Sequence, residues 1–262
     1  MGGFTELLST LNGILWHDTV LFALLGTGIV FTIWSGFSQY RALTHGTAVV
    51  RGAWDDPDDP GAINHFQALS AALSATVGLG NIGGVALAIS LGGPGAVFWM
   101  WVVGFFGMAI KLTEVTLSML YRNTEDEDNP HGGPMWVASK GIALMNPKLP
   151  WLGGTIGTIF CVTLLISTAT GGNMFQAFNV GLITYEYFGV PSWIPGVIVA
   201  VIVALVIIGG IKRIGRVAGL LVPFMVVLYL LCGIYVLVVN AGEIPAMFSL
   251  IVKSAFAPTE AS

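Results

Sequence analysis

The sequence predicts an all-α membrane protein with six transmembrane helices, and three observations carry that expectation. Hydrophobic residues make up 55% of the 262 residues and charged residues only 9%, against about a quarter charged in ordinary soluble domains. A soluble fold of this size could not cover its surface with so few charges, so the bilayer is the solvent for most of it. Apolar stretches recur along the whole length, and several reach the roughly 18 residues that a helix needs to cross about 30 Å of hydrocarbon. Lysines and arginines, finally, collect in alternate loops, as they do when those loops share one side of a membrane.

The first span covers about 19–37. Before it Glu6, Asn12, His17 and Asp18 interrupt the apolar run, and with no basic n-region the N-terminus does not read as a cleaved signal peptide. The second, about 66–90, is rich in glycine and hydroxyl residues and ends at the turn Gly92-Gly93-Pro94-Gly95. The third runs over about 95–121, and a polar stretch from Arg122 to Pro150 follows it. The acidic run Glu125, Asp126, Glu127, Asp128 must lie in water, while His131 to Ile142, opening on Gly132-Gly133-Pro134, reads as a short interfacial helix after a turn. The fourth segment, about 152–188, is too long for a perpendicular helix, so it is either strongly tilted or broken near Gly171-Gly172. The fifth occupies about 193–210 and the sixth about 217–239, with Lys212, Arg213 and Arg216 between them. After Ala241 the chain is too interrupted by Pro245, Lys253 and Pro258 to span again.

Orientation follows from the same charges. Loops after the odd-numbered spans hold Arg41 and Arg51, then Arg122, Lys140 and Lys148, then Lys212, Arg213 and Arg216, eight in all, while the opposite side has Lys253. By the positive-inside bias these loops face the cytoplasm, in a multi-pass protein of the cytoplasmic membrane with both ends of this chain outside. Trp16, Trp34, Trp151 and Trp193 sit near predicted ends, as interfacial anchors do. Cys161 and Cys232 fall in apolar runs, where they act as small hydrophobes. No basic stripe points to nucleic acid, and no nucleophile with a base suggests an enzyme. His45 and His65 lack His, Cys or carboxylate neighbours at metal-ligand spacing.

The second span carries the chemistry. Ser74-Ala75-Thr76-Val77-Gly78-Leu79-Gly80-Asn81-Ile82-Gly83-Gly84 puts glycines and an asparagine at mid-membrane depth. If the helix unwinds at Gly78 to Asn81, the freed N–H and C=O groups need partners, because each unpaired group in hydrocarbon costs several kcal/mol. A bound ion and a bound zwitterion are suitable ones: the resumed half-helix points its positive end at a carboxylate, and carbonyls ending the first half face a cation. The alternative is that these glycines only let neighbouring helices approach closely. Gly78 to Gly83 also matches G-x-G-x-x-G, but a dinucleotide site needs a preceding strand and an acidic residue about 20 positions on. Here that later region, Phe98-Trp99-Met100-Trp101, is apolar. On the third span Lys111 and Glu114 are spaced to pair on one face, either as a structural pair near the cytoplasmic end or as an ion relay.

These residues resemble a known family. Val77-Gly78-Leu79-Gly80-Asn81 is similar to the unwound first core helix of leucine-transporter-type proteins. Together with Gly92-Gly93-Pro94-Gly95-Ala96-Val97-Phe98-Trp99-Met100-Trp101, the Lys111 and Glu114 pair and His131-Gly132-Gly133-Pro134-Met135, it resembles the alanine/glycine:cation symporter family. The resemblance implies a leucine-transporter-like inverted-repeat fold, in which the first span is an extra helix and the other five form the first repeat. It implies symport of alanine or glycine with sodium as the co-transported ion. Leu79 and Gly80 would offer backbone N–H groups to the substrate carboxylate and Asn81 its side-chain amide, while carbonyls of Ser74 and Val77 and the hydroxyl of Thr76 would face sodium. Asn173 and Gln176, one turn apart after a glycine pair, are further substrate contacts on the fourth segment, with helix packing as the alternative for Gln176.

The family carries a second five-helix repeat, and these residues end after the first. The expectation is therefore one transmembrane domain over 1–262 that forms the N-terminal half of a transporter, with the second half as a partner. The competing expectation is a non-transporting membrane module, or an orphan half that assembles with another chain.

Overall fold

The computed structural model describes residues 2–54, 56, 61–126 and 130–257. Those residues fold into helices, joined by short turns and one isolated bridge between Asn123 and His131. In chain order they are α1 (Gly2–Leu15), α2 (Asp18–Trp34), α3 (Ser38–Val50), α4 (His65–Thr76), α5 (Leu79–Gly92), α6 (Gly95–Leu120), α7 (Pro134–Trp136), α8 (Ile142–Met145), α9 (Pro150–Ser167), α10 (Phe175–Phe188), α11 (Trp193–Ile207), α12 (Gly210–Val239) and α13 (Ile244–Phe256). Two π-helical segments are inserted, Val137–Gly141 between α7 and α8 and Thr168–Met174 between α9 and α10.

Four helical stretches are long and apolar enough to cross a membrane: Thr5–Trp34, Gly95–Leu120, Pro150–Phe188 and Gly210–Val239. Among the described residues the buried hydrophobic side chains are Ala109, Ala218 and Val222, and large apolar residues are exposed along every long helix. In water that distribution would be untenable, whereas in lipid the outward apolar face costs nothing. The chain is a multi-pass membrane protein.

Small residues set the helix crossings. On α2, Gly28 meets α6 so closely that a Cβ there would lie 2.9 Å from the Phe106 Cβ. Gln39, buried at the start of α3, ties that crossing together, donating from Nε2 to Thr32 Oγ1 at 2.8 Å and to the Phe105 carbonyl at 3.2 Å. A capping box between Asn64 and Gln67 starts α4. Ile63 and the first turn of α4 lie on α12, where Gly215 faces Ile63 and Gly219 faces Gln67. Gly153 and Gly157 of α9 take the backbone of the 134–145 helical stretch, since a Cβ on Gly153 would sit 2.5 Å from the Ala138 carbonyl oxygen.

Several expected boundaries move. The second span, expected over 66–90, is two helices of 12 and 14 residues, about 18 and 21 Å at roughly 1.5 Å per residue, so neither crosses by itself. The fourth segment neither breaks at Gly171-Gly172 nor runs as plain α-helix; it widens into the π segment and continues through α10. The fifth, expected to reach 210, stops at Ile207, and the sixth starts at Gly210, not at 217. Gly210 at φ +67 makes the turn, and the Arg213 side chain folds back over Gly209 to donate from Nη1 to the Leu205 carbonyl at 2.8 Å. Lys212, Arg213 and Arg216 thus lie in the first turns of α12, near its end, where long cationic side chains reach the interface.

Candidate functional site

Two extended residues divide the glycine-rich helix: Val77 (φ −88, ψ 94) and Gly78 (φ −148, ψ −168). The last bond of α4 runs from Val77 N–H to the Leu73 carbonyl at 2.7 Å, and α5 opens with Asn81 N–H donating to the Gly78 carbonyl at 3.0 Å. By position, the N–H groups of Leu79 and Gly80 and the carbonyls from Ser74 to Val77 have no intrahelical partner. The break was expected over Gly78 to Asn81; it is shorter and begins one residue earlier. A glycine costs a helix only about 1 kcal/mol relative to alanine. Leaving a backbone group unpaired in hydrocarbon costs several kcal/mol, so the helix resumes as soon as it can.

Gln176, in the first turn of α10, reaches this break. Its amide lies against Gly78: a Cβ at that glycine would be 3.7 Å from Nε2, 3.8 Å from Oε1 and 4.0 Å from Cδ. The terminal nitrogen and oxygen of the amide are thus its nearest atoms to Gly78, in ordinary van der Waals range of that position. Asn173, near the end of the π segment, is exposed, whereas Gln176 is half-buried.

Around the break Ser74, Thr76, Gly80 and Asn81 are exposed and Val77 is half-buried. The Ser74 hydroxyl donates back to the Ala71 carbonyl at 2.6 Å and that of Thr76 to the Ala72 carbonyl at 2.9 Å. With their protons committed inside the helix, both hydroxyl oxygens keep lone pairs for a cation. The backbone of Leu79 opens α5, whereas its side chain lies outside the described residues. Lys111 and Glu114 do pair, at 3.0 Å, with side chains 65% and 42% exposed.

Two features escaped sequence reasoning. The contact between Gly78 and Gln176 joins distant parts of the chain, and no local pattern encodes it. The π segment had one visible signal, the excess length of the fourth segment.

The sodium:alanine symporter family matches residues 1–262, the whole chain. The chain belongs to the sodium:alanine symporter family. Among its relatives is the sodium/alanine symporter AgcS of Methanococcus maripaludis, 42% identical over 253 residues that cover 97% of this chain and 55% of AgcS. Another is YrbD of Bacillus subtilis, provisionally named a sodium/proton-dependent alanine carrier protein, 36% identical over 96% of this chain and 49% of YrbD. GlnT of the same organism, provisionally named a sodium/glutamine symporter, is 35% identical over 94% of this chain and 49% of its own length. The chain spans about half the length of these curated relatives. Membership of the symporter family makes this a sequence of transporters, not of enzymes.

Proposed function

We propose that this chain belongs to a sodium-coupled symporter of a small neutral amino acid, alanine or glycine, and contributes one half of its central site. The observation that carries the reading is the extended break at Val77–Gly78 with the Gln176 amide laid against it. Free N–H groups of Leu79 and Gly80 at the start of α5, with its helix dipole, favour a carboxylate, and the exposed Asn81 amide stands at the same turn. Gln176 is the side chain placed to reach a polar group of that substrate. Sodium, carried as cargo, prefers hard oxygen ligands, which the carbonyls of Ser74 and Val77 and the hydroxyl of Thr76 supply. Asn173 is the weaker member of the substrate set, since it is exposed whereas Gln176 is half-buried against Gly78.

Polar exposure supports a covered or wet face here. Ser74, Thr76, Asn81 and Asn173 point out of these helices at a depth where lipid would penalise them. A leucine-transporter-like arrangement, with a second repeat completing the site and both ends of this chain outside, supplies the cover. Names among the relatives include both alanine and glutamine, so the uptake assay should include glutamine as a competitor. Uptake of labelled alanine and glycine into cells expressing the transporter, with and without a sodium gradient, tests the reading. Sodium-independent uptake, or none of either amino acid, would sink it.

A further inference from the structure

The half-helix α5 is a rod with a joint at each end. Its lower joint is the break at Val77–Gly78. Its upper joint is Gly93, at φ +71 where glycine is favoured, followed by Pro94. Between the joints α5 packs mainly on α6, and most of its side chains are exposed. A rod held on one side between two joints is free to tilt about them.

The upper joint is covered by α13, an element the site does not use. A Cβ on Gly95 would lie 2.6 Å from the Ala255 backbone nitrogen and 2.6 Å from the Ser254 carbonyl carbon, so backbone meets backbone there. A Cβ on Gly93 would lie 3.6 Å from Ser254 Oγ. Trp99 Nε1 donates to the Ala255 carbonyl at 3.1 Å. The Phe256 ring packs on Phe98 and Trp99 at 5.2 and 5.8 Å between centroids, and Phe248 packs on Trp101 at 5.8 Å. Each contact falls on the first two turns of α6 or on the joint itself.

The route of the chain gives this clamp its meaning. The helix before α13 is α12, whose best-packed partner is α4, the lower half of the broken helix. From α12 the chain turns through Ala241–Glu243 into α13 and lands on the joint of α5, the upper half. One continuous segment therefore packs on α4 through α12 and, through α13, on the start of α6 and the joint that ends α5. We propose that α13 is a strap that restrains the movement of α5 relative to α4. Its docking at Gly93–Gly95 holds α5 in one tilt, and its release lets α5 swing. The inference rests on the proposed site only for its bearing on transport; the mechanical claim stands on the packing.

Hydrogen–deuterium exchange of the protein in lipid nanodiscs, read over the peptides of α5 and α13, tests it. Gly95→Ala drives a methyl into the Ala255 backbone and lifts α13, and Trp99→Phe removes only the indole donor. In the opposite arm Trp101→Cys with Phe248→Cys, joined by a short bis-maleimide linker in a Cys161→Ala, Cys232→Ala background, fastens α13 down. Exchange in α5 should rise about tenfold in Gly95→Ala, less in Trp99→Phe, and fall in the cross-linked protein. If α13 exchanges faster in either substitution while α5 does not, α13 is packing and not a strap. An unchanged α5 in the cross-linked protein overturns the proposal equally, and that arm is available even if Gly95→Ala does not fold. Adding alanine and sodium separates the two ideas: no ligand effect on α5 in any variant speaks against the site, while the ligand-free rates alone decide the strap.

Discussion

Gln176 and Gly78 form the contact on which the proposed site turns. Gln176→Ala should weaken alanine binding about tenfold, the loss of roughly 1.4 kcal/mol expected for one hydrogen bond to a charged ligand. Membrane insertion and thermal stability should stay the same, because alanine is the better helix former and Gln176 is only half-buried. Calorimetric titration of the purified transporter decides it, and unchanged affinity returns Gln176 to helix packing. Gly78→Ala adds a methyl in ordinary contact with the amide, 3.7 Å from Nε2, and should weaken binding less than Gln176→Ala. Gly83→Ala is the control: a Cβ there meets nothing within 4 Å, so binding should hold while the helix gains up to about 1 kcal/mol. An amide at membrane depth made Gln176 legible as a candidate from residue type alone. Its meeting with Gly78 was not legible, since it depends on how α10 lies across the break. Gln39 carried no such signal in sequence, yet it is 6% exposed and bridges α2 and α6.

Among the elements, the π segment Thr168–Met174 makes the sharpest prediction. A π turn closes with bonds from i to i+5, so within an α-helix it behaves as one residue in excess. Deleting Gly172 should let the stretch from α9 to α10 close into regular α-helix with Gln176 still facing Gly78. Deleting Thr163, inside regular α9, should instead rotate everything beyond it and pull Gly153 and Gly157 out of register with the 134–145 helical stretch or Gln176 away from the break. Thermal unfolding in detergent should show a drop of a few degrees at most for the first deletion and a far larger loss for the second. Equal losses would mean that the π geometry is itself required for stability. Apolar length and glycine punctuation revealed that a helix stood at each expected span. They did not reveal where each began, because a boundary such as Gly209-Gly210 depends on Arg213 folding back to satisfy a carbonyl of the preceding helix.

For the molecule as a whole, the proposed reading makes these 262 residues half of a rocking machine. Expressed alone and reconstituted in liposomes under an inward sodium gradient, they should not accumulate labelled alanine or glycine. The oxygens near Ser74 and Val77 are too few to replace the hydration of a sodium ion, and alternating access needs helices from both repeats. Accumulation above a sodium-free control would require a complete site within this chain. Two copies in opposite orientations could imitate an inverted repeat, but eight loop cations against one oppose dual topology. Thiol labelling of single cysteines placed near each end should therefore come from the outside only. The solvent, the helical class and the place of the weakened helix were decided by sequence, because composition, apolar length and glycine placement are local properties that lipid reads directly. Only tertiary structure decided that the break closes to Val77–Gly78, that Gln176 reaches it, and that α13 lands on the joint of α5. Those outcomes depend on which backbone groups find partners across helices, and no single stretch of sequence contains both partners.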